Sequence, residues 1–445
     1  MRMSTNYGPV RRKPRDAMGF GLAILHHIAK LPMLDRLGLR KPAERVIFEA
    51  TKTGFRVAGA ASRQFKAASK LTKPERLPKA AGSDLFDLTP TDEQQMVIEV
   101  VREFATEQLR PAAPEADKAA KAPVEVFEKL SELGLAMIGV PDKLGGAGEE
   151  RSAMTNVLVA EELARGDMGL AVACLAPSAV STALTLWGDA DQQATYLPSF
   201  VEDNPPAAAL AITEPRALFN PFSLQTKARR NGSGFVLDGV KSLVPRAAEA
   251  ELFVIAAELD GAPALFIVES GTEGLSIEAE PAMGLRAASL GRVVLENVAV
   301  PGTALLATGD AYAECVALSR LAWCALAVGT SQAVLDYVIP YVNSREAFGE
   351  PISHRQAVAF MVADIGIELD GMRLVTYRAA SRATQGKSFA RETALARRLC
   401  TERGMRIGSD GVQLLGGHGF VKEHPVERWY RDLRAIGVME GGLLV

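Results

Sequence analysis

Apolar positions along the chain repeat with two different periods, and the change between them marks out its architecture. Met96, Val97, Val100, Val101 and Phe104 recur at helical spacing. Thr89 offers an N-cap for this segment, with Pro90 at the first helical position and Pro111 closing it. Further helices are predicted around 124–134, 152–165 and 174–187. From about residue 209 the period shortens: Phe235 and Leu237 alternate with small or polar residues, and Leu252–Glu258 and Ala264–Val268 flank Asp260-Gly261, a pair suited to a tight hairpin. Val293–Val300 is another strand candidate, ended by Pro301. Long helices then return over about 309–434, with Val358, Met361, Val362, Ile365, Leu369 and Met372 forming an apolar stripe. Pro340 interrupts this region, at a cost of roughly 3 kcal/mol in a straight helix interior.

Helices, then strands, then helices predict an α+β protein, mainly α, with a strand module between two helical ones. Four segments follow: a basic, partly helical extension (1–84), a helical domain (85–208), an antiparallel β-domain (209–308) and a helical bundle (309–445). The overall charge of −3 conceals an asymmetry, because residues 1–80 carry 18 Lys and Arg against 5 Asp and Glu. Two readings of this arm stay open: contact with an anionic membrane surface or acidic protein, or a solvated extension. No 18-residue apolar run is present, so no bilayer span is expected. Cys174, Cys315, Cys324 and Cys400 lack metal-ligand spacing and read as core residues of a reducing compartment. The five histidines form no cluster, so no metal is expected. No nucleic-acid partner is expected, and a cytoplasmic location is expected, with peripheral membrane association through residues 1–80 left open.

The chemistry lies near the C-terminus. Gln413-Leu-Leu-Gly-Gly-His-Gly-Phe420, then Pro425-Val-Glu-Arg-Trp-Tyr-Arg-Asp432, then Met439-Glu-Gly441 resembles the signature of acyl-CoA dehydrogenases, in which a glutamate stands nine residues after the last Arg. Four more segments are similar to the same family, in the same order: Pro141-Asp-Lys-Leu-Gly-Gly146, Leu210-Ala-Ile-Thr-Glu-Pro215, Met283-Gly-Leu-Arg286 through Val300-Pro301, and Arg345-Glu-Ala-Phe-Gly349 with Pro351, Ile352 and Gln356. The resemblance covers about 85–445. It implies a C-terminal four-helix bundle that forms a homodimer or homotetramer, FAD as cofactor, an acyl-CoA substrate and an electron-transfer flavoprotein as acceptor.

Residue by residue, the resemblance makes Glu440 the base for the α-proton. Thr213, Arg345, Phe348, Gln413, Gly416 and Gly417 become FAD contacts, and Arg320 and Gly441 lie near the thioester. A weak carbon acid needs a base held in contact with Cα, and burial raises a carboxylate's proton affinity toward that task. Read alone, Glu440 is equally a surface carboxylate, Arg345 a solvated helix charge and Gly416-Gly417 a helix C-cap. The family pattern also breaks down in places. Phe219 stands for a serine and Leu218 for a glycine after the Thr-Glu-Pro turn. Leu243, Val244 and Pro245 replace a Trp-Ile-Ser/Thr run that packs on the flavin, and Ala317 replaces an aspartate. The expected function is FAD-dependent dehydrogenation of an acyl-CoA to a trans-2-enoyl-CoA. The alternatives are a non-catalytic or half-site subunit of a hetero-oligomer, or a membrane-tethered scaffold.

Overall fold

Helix α1 (Asp92–Phe104) starts where its side chains close a capping box: the Thr91 hydroxyl accepts the Gln94 N–H at 3.2 Å, and the Gln94 side chain accepts the Thr91 N–H at 3.1 Å. Thr91 is therefore the cap, and Pro90 lies outside the helix instead of opening it. The computed structural model describes residues 90–443 apart from 135–136, 138, 147–152 and 203, so Thr89 and the basic extension lie outside the described residues. Pro111 does not end the segment. The chain passes through a π turn (Ala105–Leu109) into α2 (Arg110–Ala119), and Pro111 sits in the first turn of α2, directly after the π turn.

The remaining N-terminal helices are α3 (Val124–Glu132), α4 (Ala153–Gly166), α5 (Met168–Trp187) and α6 (Ala190–Tyr196). Helix α5 begins six residues before the expected 174, because the Asp167 carboxylate caps it by accepting the Leu170 N–H at 3.0 Å.

The central strands are β1 (Ala208–Ala211), β2 (Lys227–Asn231), β3 (Gly234–Val244), β4 (Leu252–Leu259), β5 (Ala262–Glu269), β6 (Leu275–Ala279), β7 (Gly291–Pro301) and β8 (Leu305–Thr308). They form one sheet in the order β6-β7-β3-β2-β4-β5-β8, with β1 pairing β4. Asp260 and Gly261 both have positive φ, +52° and +85°, and join β4 to β5 in the predicted hairpin. The sheet is mixed, which corrects the expected antiparallel arrangement. Strand β4 runs parallel to both β1 and β2, since these arrive through long connections and not through hairpins.

The C-terminal region contains three long helices, α7 (Gly309–Ser344), α8 (Gln356–Thr384) and α9 (Ala390–Leu414), and a short fourth, α10 (Val426–Leu433). Helix α7 continues through Pro340. It also packs tightly on α4: a Cβ at Gly329 would lie 1.9 Å from the Glu161 carbonyl oxygen, so the contact requires glycine. By length and composition α5 and α7 could each cross a bilayer, with mean hydropathies of 1.7 and 1.4. Most of each apolar window is instead enclosed by protein, as befits core helices. All four cysteines are buried.

Candidate active site

Glu440 lies just past the turn Arg434–Gly437 that follows α10, and only 6% of it is exposed. Its backbone is left-handed (φ +52°), and Gly441 follows at +106°. Two guanidinium groups hold this shape through carbonyl oxygens. Arg320 of α7 donates to the Glu440 carbonyl from Nη2 at 2.8 Å and Nε at 3.1 Å. Arg397 of α9 donates from Nη2 to the Met439 carbonyl at 2.8 Å and also to that of Gly441. The β-domain supplies the rest: the Glu440 N–H reaches Thr213 Oγ1 at 3.3 Å, and the Gly442 N–H reaches the Phe219 carbonyl at 2.9 Å. A Cβ at Gly441 would come within 2.7 Å of Pro221 and 2.9 Å of the Phe219 oxygen, so the close approach of the two segments demands glycine as much as the torsion does.

The carboxylate itself is half satisfied. The Ser319 hydroxyl donates to Oε1 at 2.8 Å, whereas Oε2 is buried with no partner. Burial pushes the Glu440 carboxyl above its ordinary range, with hydrogen bonding from Ser319 and Trp323 and the charges of Arg397 and Arg320 opposing the shift. Burial likewise lowers Arg397 to about 10, and its Nε and Nη1 are enclosed without partners. Glu440 borders a cavity of about 220 Å³ whose walls come from α4, α5 and α7 and whose β-domain side is Thr213 and Ser242–Pro245. A buried carboxylate of raised proton affinity facing an apolar space is the equipment of a general base for a carbon acid.

On the β-domain side, Glu214 works inside the protein. Its carboxylate accepts the amides of Gln225 and Thr226, each at 2.8 Å, and the Lys241 ammonium at 3.1 Å. Lys241 is fully buried, also donates to the Ile212 carbonyl at 3.2 Å, and is lowered to about 8 by desolvation, against the pull of Glu214. The Phe219 ring turns into the core with Leu224, Tyr312, Cys315 and Val316, and the Arg216 guanidinium lies 5.5 Å above it. Beyond Lys241, strand β3 slips register before Val244, and Leu243 takes a positive φ of +54°. The Ser242 hydroxyl and Leu243 N–H both point at Glu280, at 2.8 and 2.6 Å, and Pro245 has no N–H to offer.

The residues proposed from sequence therefore fall into two groups. Glu440, Gly441, Arg320 and Thr213 converge beside the cavity. Arg345, Phe348, Gln413, Gly416 and Gly417 gather at the other end of α7, where the Tyr341 hydroxyl meets His418 Nδ1 at 2.9 Å and the Leu415 carbonyl at 3.4 Å. The 25 helical residues from Arg320 to Arg345 span roughly 37 Å at 1.5 Å per residue.

Sequence reasoning missed Ser319, Arg397 and Glu280. Arg397 did leave a signal, since it shares the phase of Thr393, Ala396, Cys400, Thr401, Gly404 and Ile407, the buried face of α9. A cation in that phase marks an interior task. Ser319 and Glu280 carried no comparable mark.

A helical domain, a central sheet and a helical bundle, converging on an enclosed carboxylate beside an apolar cavity, define an oxidoreductase of the kind that works on carbon–carbon single bonds next to a carbonyl. Family profiles agree domain by domain: acyl-CoA dehydrogenase N-terminal domain over residues 91–204, middle domain over 209–298 and C-terminal domain over 310–442. The short/branched chain specific acyl-CoA dehydrogenase of Rattus norvegicus mitochondria is 33% identical over 386 residues, 84% of this chain and 88% of that protein. Among solved structures, butyryl-CoA dehydrogenase from Megasphaera elsdenii matches with a TM-score of 0.74 and 27% identity, over 81% of this chain and 97% of that one. A structure of PigA with FAD and proline matches with a TM-score of 0.74 and 25% identity, over 80% and 96% of the two chains. The chain belongs to the acyl-CoA dehydrogenase family, whose cofactor is FAD.

The residues present suit that cofactor in most respects. The cavity offers apolar walls with the Thr213 side chain at its edge. At the far end Arg345 is exposed, Phe348 is 97% exposed, and open space stands where a Cβ of Gly416 or Gly417 would be, so a diphosphate and adenosine can approach backbone and guanidinium directly. The departure is at Ser242–Pro245, where Ser242 and Leu243 already donate to Glu280.

Proposed function

We propose that the chain dehydrogenates an acyl-CoA to its trans-2-enoyl thioester, with Glu440 taking the α-proton. The observation that carries this reading is the buried Glu440 carboxyl on the edge of an apolar cavity, its proton affinity raised by burial. Bound FAD would supply the oxidising capacity, accepting hydride from Cβ. Thr213 and Ser242–Pro245 would flank the ring. Arg345, Phe348, Gln413, Gly416 and Gly417 would hold the diphosphate and adenosine of a second copy, which is what their roughly 37 Å offset from Arg320 calls for. Helix α8 supports such an assembly: Phe360, Ile367 and Leu374, seven residues apart, are 59%, 69% and 47% exposed and form a stripe fit for helix packing. Electrons would leave to an electron-transfer flavoprotein, as in fatty-acid β-oxidation.

The test is the visible spectrum of the purified protein and of Glu440→Gln. Both are expected to be yellow, and acyl-CoA is expected to bleach only the parent. Equal bleaching of the variant would remove Glu440 from the reaction. A second reading, a half-site subunit that completes a partner's cofactor site, is favoured by Glu280 holding the donors at the ring's edge. A protein that stays colourless with added FAD would support it.

A further inference from the structure

Glu440 is gripped at both ends by neighbouring residues of α7. The Arg320 guanidinium holds its carbonyl oxygen, and the Ser319 hydroxyl holds its carboxylate, donating to Oε1 at 2.8 Å. The contacts from Arg320, Arg397 and Thr213 fix the backbone of the loop. Between that backbone and the carboxylate lie the side-chain torsions, the last of them broad, so the direction of the carboxylate is set by what meets it. Ser319 does so at the wall of the cavity that Glu440 borders. A serine within a helix commonly returns its proton to the carbonyl one turn back, here that of Cys315, and a hydroxyl has one proton to give. Here it goes to Glu440. Trp323, one turn further along α7, lends hydrogen bonding to the same carboxyl.

We infer that Ser319 is a positioning residue for the reaction: its hydroxyl fixes the rotamer of the Glu440 carboxylate at the cavity's edge. The inference rests on the reading of Glu440 as the base. A donor to the charged form favours that form, so the same contact holds down the proton affinity that burial raises. The groups around Glu440 let a pH profile report this. Burial pushes Cys315 and Tyr312 of α7 far up, so both stay neutral while a carboxyl titrates. Arg320 of α7 and Arg397 of α9, the latter at about 10, stay charged over the same range, and the β-domain presents Thr213, which does not titrate.

The full chain is compared with Ser319→Ala and Ser319→Thr, using butyryl-CoA and octanoyl-CoA, a dye acceptor and chromatography of the enoyl product. Ser319→Ala is expected to lower kcat about tenfold or more on the plateau of the pH profile, with KM within about threefold. Its acid limb is expected to move upward by about one pH unit, as loss of a hydrogen bond to a charged group requires. Ser319→Thr keeps the hydroxyl and is expected to restore both. Ser319→Cys, of similar size but a weak donor, is expected to follow the alanine variant and decides the matter if that one misfolds. Parental kcat and an unmoved limb in a folded variant without the hydroxyl overturn the inference, as does a folded threonine variant that restores neither. An infrared titration of the carboxyl, taken as the difference from Glu440→Gln, reads the contact without turnover. A midpoint that rises in Ser319→Ala while no chain makes enoyl product would sink the dehydrogenation reading and leave the hold on Glu440 standing. A midpoint that stays put in an active chain would sink the inference alone.

Discussion

Replacing Arg397 by methionine separates what holds the catalytic loop from what holds the fold. Arg397 is 3% exposed and donates to the Met439 and Gly441 carbonyls. Each such charged hydrogen bond contributes about 1.5–3 kcal/mol. Against this, its Nε and Nη1 are enclosed without partners, and each costs about 1–3 kcal/mol in lost hydration. The two sums nearly cancel, so Arg397→Met is expected to change unfolding free energy by less than about 2 kcal/mol in a urea titration. Activity is another matter. Glu440 is held left-handed at a cost of about 1–2 kcal/mol, and a loop freed from Arg397 recovers that energy by rotating the carboxylate away. A shift of about 1 Å in a reacting group lowers the rate roughly a hundredfold, which is the expected fall in kcat/KM. The Arg397 charge also holds down the proton affinity of Glu440, so its removal raises that affinity further and moves the acid limb of the pH–rate profile upward. The assay is acyl-CoA-dependent reduction of a dye acceptor across pH. A kcat/KM within about threefold of the parent, or an unmoved acid limb, would refute the reasoning.

Three further outcomes follow from the same geometry. Glu440→Gln is expected to raise the melting temperature, more at pH 8 than at pH 5: a carboxyl with a raised folded pKa contributes stability below its ordinary pKa and loses it as pH climbs through the raised value, and parallel melts at the two pH values check this. Lys241→Met is expected to destabilise by about 3–5 kcal/mol because Glu214 is left charged and enclosed, and adding Glu214→Gln should restore most of the loss in chemical denaturation. Ile367→Arg is expected to shift the light-scattering mass toward the monomer by placing a charge in the exposed stripe of α8.

What the sequence disclosed depended on whether a feature is local. Helix periods, the Asp260-Gly261 hairpin and the Glu440 spacing are written in neighbouring residues, and the structure bears out the hairpin and the helical segments. Helix ends were harder, because Thr91 and Asp167 compete with nearby candidates and only side-chain geometry decides between them. The mixed sheet was not legible, since the parallel pairing of β1 with β4 joins residues more than forty positions apart. The site divided along the same line. Glu440, Thr213, Arg320 and Gly441 were visible as motif positions, whereas Ser319 and Glu280 became meaningful only through contacts made across the fold.

The segment Arg216–Pro221 departs from the small turn of the family pattern, yet it leaves the Glu440 loop in place for a physical reason. The catalytic loop asks that turn for a carbonyl, not a side chain: the Gly442 N–H is met by the oxygen of Phe219, which any residue can supply. The Phe219 ring, freed from that duty, fills core space under the Arg216 guanidinium, and Tyr312 fixes the turn by donating to the Pro221 carbonyl at 2.6 Å. Two more anchors of the loop are backbone oxygens, held by Arg320 and Arg397, while the Thr213 and Ser319 hydroxyls meet the Glu440 N–H and carboxylate. At position 219 the loop therefore tolerates exchange of the side chain. The cavity edge at Ser242–Pro245 has no such insulation, because its donors are a hydroxyl and an amide that Glu280 has claimed. The two guanidinium groups fix the backbone of the Glu440 loop independently of that edge.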